Sequence, residues 1–170
     1  MARASSGLTT PLVRDIATDT RGSVWFATPV GLFQYQEGRW LSDYIAWEGA
    51  DRRLNNVNEL LVARDGAIWI ATGGAGVRRK REEIDSYRET VYNMEQGNLP
   101  SNGVTALAED RDGAIWAGTF AGVSRFINER WSDPVDADAL PSPVVTDLLA
   151  TPTDMWIGTG SGWRSMTWMP

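Results

Sequence analysis

Four tryptophans stand at the same point of a segment that this chain of 170 residues writes four times. Trp25, Trp69, Trp116 and Trp156 sit in GSVWFATPVGL, GAIWIATGGAGV, GAIWAGTFAGV and DMWIGTGSGW, at successive spacings of 44, 47 and 40 residues. That interval falls within or near the period of propeller blades, in which each repeat is one small sheet unable to bury its faces alone. The repeat therefore predicts an all-β fold, a β-propeller of about four four-stranded blades.

The third copy shows how one blade reads. In LPSNGVTALAEDRDGAIWAGTFAGVSRF, residues 99–126, Val104, Ala106 and Ala108 alternate with Thr105, Leu107 and Glu109 as a first strand. Asp110, Arg111, Asp112 and Gly113 supply turn chemistry, because Asp bonds its own turn and Gly accepts positive φ. Ala114 to Thr119 forms the most apolar strand, and a second turn at Thr119–Gly122 leads into Val123–Phe126. A strand apolar on both faces is one covered on both faces. Val24, Ile68, Ile115 and Met155 share one face with Phe26, Ile70, Ala117 and Ile157. The tryptophans take the other face with Ala27, Ala71, Gly118 and Gly158, small residues beside which a neighbouring sheet can approach.

The remaining copies follow the frame with local edits. Copy one should add a fourth strand near Arg39 to Ile45, with Trp40 facing a neighbour. Copy four lacks the turn glycine, its hairpin at Pro152, Thr153 and Asp154 is one residue shorter, and it stops at Pro170 before a fourth strand. Between copies two and three, Ile84, Tyr87, Val91 and Met94 recur at helical intervals, while the repeat frame asks for a strand over Tyr87 to Tyr92 preceded by a turn in the RRKREE segment. The strand is the preferred reading. The whole chain is then one domain, 1–170, a partial propeller or half-ring with blades near 8–46, 54–96, 99–136 and 140–170 and an incomplete last blade.

Composition removes several functions. With no Cys and no His, thiolate chemistry, disulfides and the commonest neutral-pH acid–base group are excluded, and zinc and copper lose their usual ligands. No cofactor and no metal are expected. A net charge of −6 and an acidic isoelectric point near 4.7 argue against nucleic acid and anionic membrane as partners. The one basic cluster, Arg78 to Arg81, is followed at once by Glu82 and Glu83 and reads as a solvated edge. No apolar run approaches the ~20 residues that cross a bilayer, and the opening MARASSGLTT has no hydrophobic region of a signal peptide. Export or tethering would need segments outside these residues.

The frame LPSN-x-V-x-x-L-x-x-D-x-x-G-x-x-W-x-G-T-x-x-G-V-x-x-F, repeated from about Leu8 to Ser165, resembles the two-component regulator propeller repeat. The resemblance implies an extracytoplasmic propeller of a bacterial hybrid two-component sensor, periplasmic or extracellular, that responds to ligands such as carbohydrates. It implies a non-enzymatic ligand-sensing module in signal transduction. Members of the family normally carry many more repeats, commonly two whole propellers, then a membrane helix and kinase parts that do not occur here. The segment TDTRGSVWFAT is also similar to streptogramin-type lyases, whose chemistry relies on a histidine and a metal ion.

Ligands of propellers bind at one end of the central channel, on loops entering the first strand and loops joining the second and third. Asn56, Asn102, Phe120 and Ser161 are the candidate ligand-binding residues; small polar groups and one exposed aromatic suit a carbohydrate or other small polar ligand, and turn chemistry alone also explains them. Asp19, Asp65, Asp110 and Asp112 fall in the first hairpin turns at the opposite end and read as turn formers. A partial ring leaves the apolar faces of its end blades open. Closure as a four-bladed ring, a homo-oligomer of two chains in an eight-bladed ring, and completion by missing blades are the alternatives, and association is preferred. A protein-binding scaffold is the alternative function.

Overall fold

A computed structural model describes residues 10, 12–45, 56–83 and 87–167. The outer parts of the expected blades at 8–9, 46, 54–55 and 168–170, and Ile84 of the ambiguous segment, lie outside them. Four antiparallel sheets follow one another along the chain. Blade one holds β1 (Asp15–Thr18), β2 (Val24–Thr28), β3 (Gly31–Gln36) and β4 (Arg39–Ile45). Blade two holds β5 (Val57–Val62), β6 (Ile68–Thr72), β7 (Val77–Glu82) and β8 (Tyr87–Tyr92). Blade three holds β9 (Val104–Glu109), β10 (Ile115–Thr119), β11 (Gly122–Ile127) and β12 (Arg130–Ser132), and blade four holds, among the described residues, β13 (Val145–Ala150), β14 (Asp154–Thr159) and β15 (Gly162–Thr167). Each sheet is a meander in sequence order, and the first strands β1, β5, β9 and β13 pack side by side. The sheets form an open fan: a partial propeller whose last blade has three strands among the described residues.

The tryptophans set the direction of stacking. Trp25 and Ala27 pack on Leu60, Ile68 and Ile70 of blade two. Trp69 and Ala71 meet Leu107, Ile115 and Ala117 of blade three, and Trp116 meets Leu148, Met155 and Ile157 of blade four. Each blade thus presents a Trp face to its successor and an aliphatic face to its predecessor. Trp25, Trp69 and Trp116 are 2%, 1% and 1% exposed, whereas Trp156 is 38% exposed and its neighbours Trp163 and Leu149 are 64% and 61% exposed. Covering one such ring removes ~150–250 Å² from water, an upper bound of roughly 4–6 kcal/mol. At the other end of the fan, Ile16 is 56% exposed.

Two expectations are corrected. The RRKREE segment is no turn: Arg78 to Glu82 belong to β7, which pairs with β6 and β8. Its basic residues are no solvated edge either, since Arg78, Arg79 and Lys80 are buried and only Arg81 is exposed. Burial is tolerated because rings and carboxylates surround the charges. Arg79 lies 5.0 Å from the Trp69 ring and pairs with Glu129 at 2.8 Å, Arg78 pairs with Glu89, and Lys80 stands 4.7 Å over Trp25. Burial pushes the Lys80 ammonium down to about 8, against the opposing charge of Asp19. Trp40 stacks within its own blade, 5.1 Å from Phe26 and 5.2 Å from Tyr35.

Candidate functional site

The loops entering the first strands and the loops joining second to third strands share one end of the fan, as antiparallel meanders require. Backbone bonds lace this rim. Gly73 donates to the Asn56 carbonyl at 2.8 Å and Phe120 to the Gly103 carbonyl at 3.0 Å within blades. Between blades, Gly76 donates to the Asn102 carbonyl at 2.9 Å and Gly122 to the Pro143 carbonyl at 2.8 Å. Both donors need glycine, because their φ values of 82° and 114° are strained for other residues.

All four candidate residues fall on this rim, but the side chains differ in their freedom. Asn56 Oδ1 accepts from Arg14 at 2.7 Å. Asn102 Oδ1 accepts from the Met94 amide at 2.7 Å while its Nδ2 donates to Glu95 at 2.9 Å. Phe120 projects its exposed ring over Gly103, where a Cβ would stand 2.3 Å from the ring. Ser161 is exposed in the β14–β15 turn, its amide held by Thr159 Oγ1 at 3.4 Å. Phe120 and Ser161 thus offer open surface, whereas the two asparagines brace the rim.

Below the rim, first strands are tied across blades by side chains that reach neighbouring backbones. Asp15 accepts from the Leu60 amide at 2.8 Å, Glu59 from the Leu107 amide at 2.9 Å, and Thr105 donates to the Val145 carbonyl at 2.7 Å. Burial pushes the Glu59 carboxyl up to about 7; the Leu107 N–H opposes this and the charges of Asp15 and Asp147 add to it. Sequence reading passed over Glu59, since a lone Glu on an alternating strand carries no signal.

The opposite end is built from the hairpin turns. Asp110 caps its turn through the amides of Asp112 at 2.9 Å and Ala114 at 3.0 Å, and also accepts the Trp116 indole N–H at 2.9 Å. Asp19 does the same with Ser23 and with Trp25, at 2.9 Å and 2.8 Å. A turn aspartate three places before the glycine is therefore also the partner of the blade's tryptophan, a link invisible in the turn pattern. Between the hairpins of blades two and three lies an open crevice of about 570 Å³, lined by Arg64, Asp65, Arg79 and Glu129 together with Trp69 and Phe126.

The two-component regulator propeller family matches residues 98–121. The chain is similar to the extracellular domain of the B. thetaiotaomicron hybrid two-component system BT3049, with 23% identity and a TM-score of 0.76 over 94% of this chain and 24% of that one. It also shares the propeller fold with virginiamycin B lyase of Staphylococcus aureus, at 15% identity and a TM-score of 0.61 over 92% and 55% of the two chains. The photosystem II assembly lipoprotein Ycf48 of Synechococcus sp. (strain CC9605) is 29% identical over 146 residues, covering 76% of this chain and 39% of that protein. The chain thus spans well under half the length of this curated relative.

Proposed function

We propose that this chain, whose residues 98–121 match the two-component regulator propeller family, is a non-enzymatic ligand-binding module of a bacterial two-component sensor acting outside the cytoplasm. The observation that carries this reading is the rim, where the exposed Phe120 ring and the exposed Ser161 stand on a laced backbone frame. An aromatic face beside small polar groups suits a neutral sugar through stacking and hydrogen bonds. Absence of His and Cys from the 170 residues weighs against hydrolase or lyase chemistry.

A thermal-shift panel of neutral mono- and disaccharides tests the reading. Stabilisation by one of them, lost in Phe120→Ala with the unliganded melting temperature unchanged, supports it. A scaffold role is the second reading, favoured by similarity to an assembly lipoprotein. No stabilisation by any sugar, together with recovery of a protein partner by pull-down, would favour the scaffold.

The end blades bear on assembly. Register places Ile16, Val24 and Phe26 of blade one where Leu60, Ile68 and Ile70 receive Trp25 in blade two. We infer that this Ile16, Val24 and Phe26 face of one copy receives the Trp156 face of another. Two copies joined head to tail at both seams would complete an eight-bladed ring.

A further inference from the structure

Blade three holds a carboxylate that blade two lacks. Asp110 Oδ2 sits between the Trp116 indole N–H at 2.9 Å and the side edge of Arg125, with Nε at 2.9 Å and Nη2 at 2.8 Å. Blade two repeats every other part. Trp69 faces Arg79 across the β6–β7 ladder as Trp116 faces Arg125 across β10–β11. Asp65 stands 3.5 Å from Arg79 Nη2, as Asp112 stands 3.5 Å from Arg125 Nη2. The residue at the place of Asp110 is Ala63, whose amide makes the same turn bond, to Ala67, that Asp110 makes to Ala114.

The consequence is chemical. Arg79 is buried; Glu129 takes its Nη1 at 2.8 Å and 2.9 Å, and Tyr92 is a further side-chain partner of the guanidinium. Among the described residues Arg79 Nε has no hydrogen-bond partner, and Ala63 puts no carboxylate beside the Trp69 indole where Asp19 and Asp110 stand beside Trp25 and Trp116. Both residues border the 570 Å³ crevice, as does Ala63. A buried guanidinium Nε without an acceptor is costly, and a carboxylate is the acceptor whose geometry fits it.

We propose that this crevice binds a carboxylate-bearing small molecule, one oxygen of which takes in blade two the position that Asp110 Oδ2 holds in blade three. The site lies at the hairpin end, away from the rim, and stands independently of the rim's ligand. Arg64, Arg81 and Arg111 offset the acids Asp65, Glu109, Asp112 and Glu129 around it, so the bonds to Trp69 and Arg79 select the ligand rather than bulk charge.

Titration of the whole chain with sodium acetate, at ionic strength held constant with sodium chloride, tests this by the proton–nitrogen signal of the Trp69 indole. The expected result is a saturable shift in the parent protein. The apparent affinity should fall by about tenfold or more in Ala63→Asp, which supplies the carboxylate internally, and in Arg79→Lys, which keeps the charge but removes Nε. Ala63→Asp should also melt higher than the parent. A Trp69 signal unmoved by acetate, or an acetate response unchanged in whichever of the two variants folds, would overturn the proposal.

Discussion

Trp116 donates its indole N–H to Asp110 at 2.9 Å, and the same carboxylate holds the turn between β9 and β10 and the side edge of Arg125. One side chain thus fastens the loop, the second strand and the third strand of a blade. Asp110→Ala leaves a buried indole N–H and a guanidinium without their acceptor, and should cost about 2–3 kcal/mol in urea unfolding. A loss within 0.5 kcal/mol, the range roughly expected of a plain surface substitution, would contradict this role.

The same carboxylate has a pH signature. Burial raises the Asp110 carboxyl, but bonds from Trp116, Arg125 and the Ala114 amide outweigh burial and hold it below its ordinary 3.8. Its contribution is therefore complete above that value and lost as pH falls below it. Acid unfolding of Asp110→Asn should be correspondingly less steep below pH 3.8 than that of the parent. Parallel acid profiles would refute the assignment.

Glu59 titrates the other way. Its folded value of about 7 stands above the ordinary 4.5, so the folded state binds the extra proton between them. Stability should fall as pH rises from 4.5 to 7 and level off above. Glu59→Gln keeps an acceptor for the Leu107 amide and should flatten that slope, read as melting temperature against pH. An unchanged slope would remove Glu59 as its source.

Small residues beside the tryptophans give a paired test. A Cβ on Gly118 would stand 2.5 Å from Val145 Cγ1 of blade four, whereas on Gly158 it would meet nothing nearer than Thr146 Oγ1 at 3.3 Å. Gly118→Ala should cost about 1–3 kcal/mol by forcing blades three and four apart. Gly158→Ala, on the face with no following blade, should cost less than half as much in the same unfolding measurement. Equal losses would mean that the small residue does not admit the next sheet.

The stacking frame was legible because it is written in side-chain alternation: the Trp face and the aliphatic face follow from residues two apart on β2, β6, β10 and β14. The strand at Tyr87–Tyr92 followed from the repeat frame even though its apolar spacing was helical. What escaped were the long-range partners. The run Arg78–Lys80 reads as a solvated edge because charges seldom enter a core, and nothing local announces Glu129, fifty residues on, or the Trp25 and Trp69 rings that receive it. Likewise Ala63 looks like an ordinary turn residue until Asp110 is seen bonding Trp116.

Each Trp face in the fan is closed by a succeeding blade except that of Trp156, and sedimentation velocity over a wide concentration range tests most directly whether a second copy closes it. The parent chain should rise from 18.8 kDa toward twice that mass, and Trp163→Lys, which charges the open face of blade four, should return it to 18.8 kDa. A single folded 18.8 kDa species at every concentration, indifferent to Trp163→Lys, would contradict it.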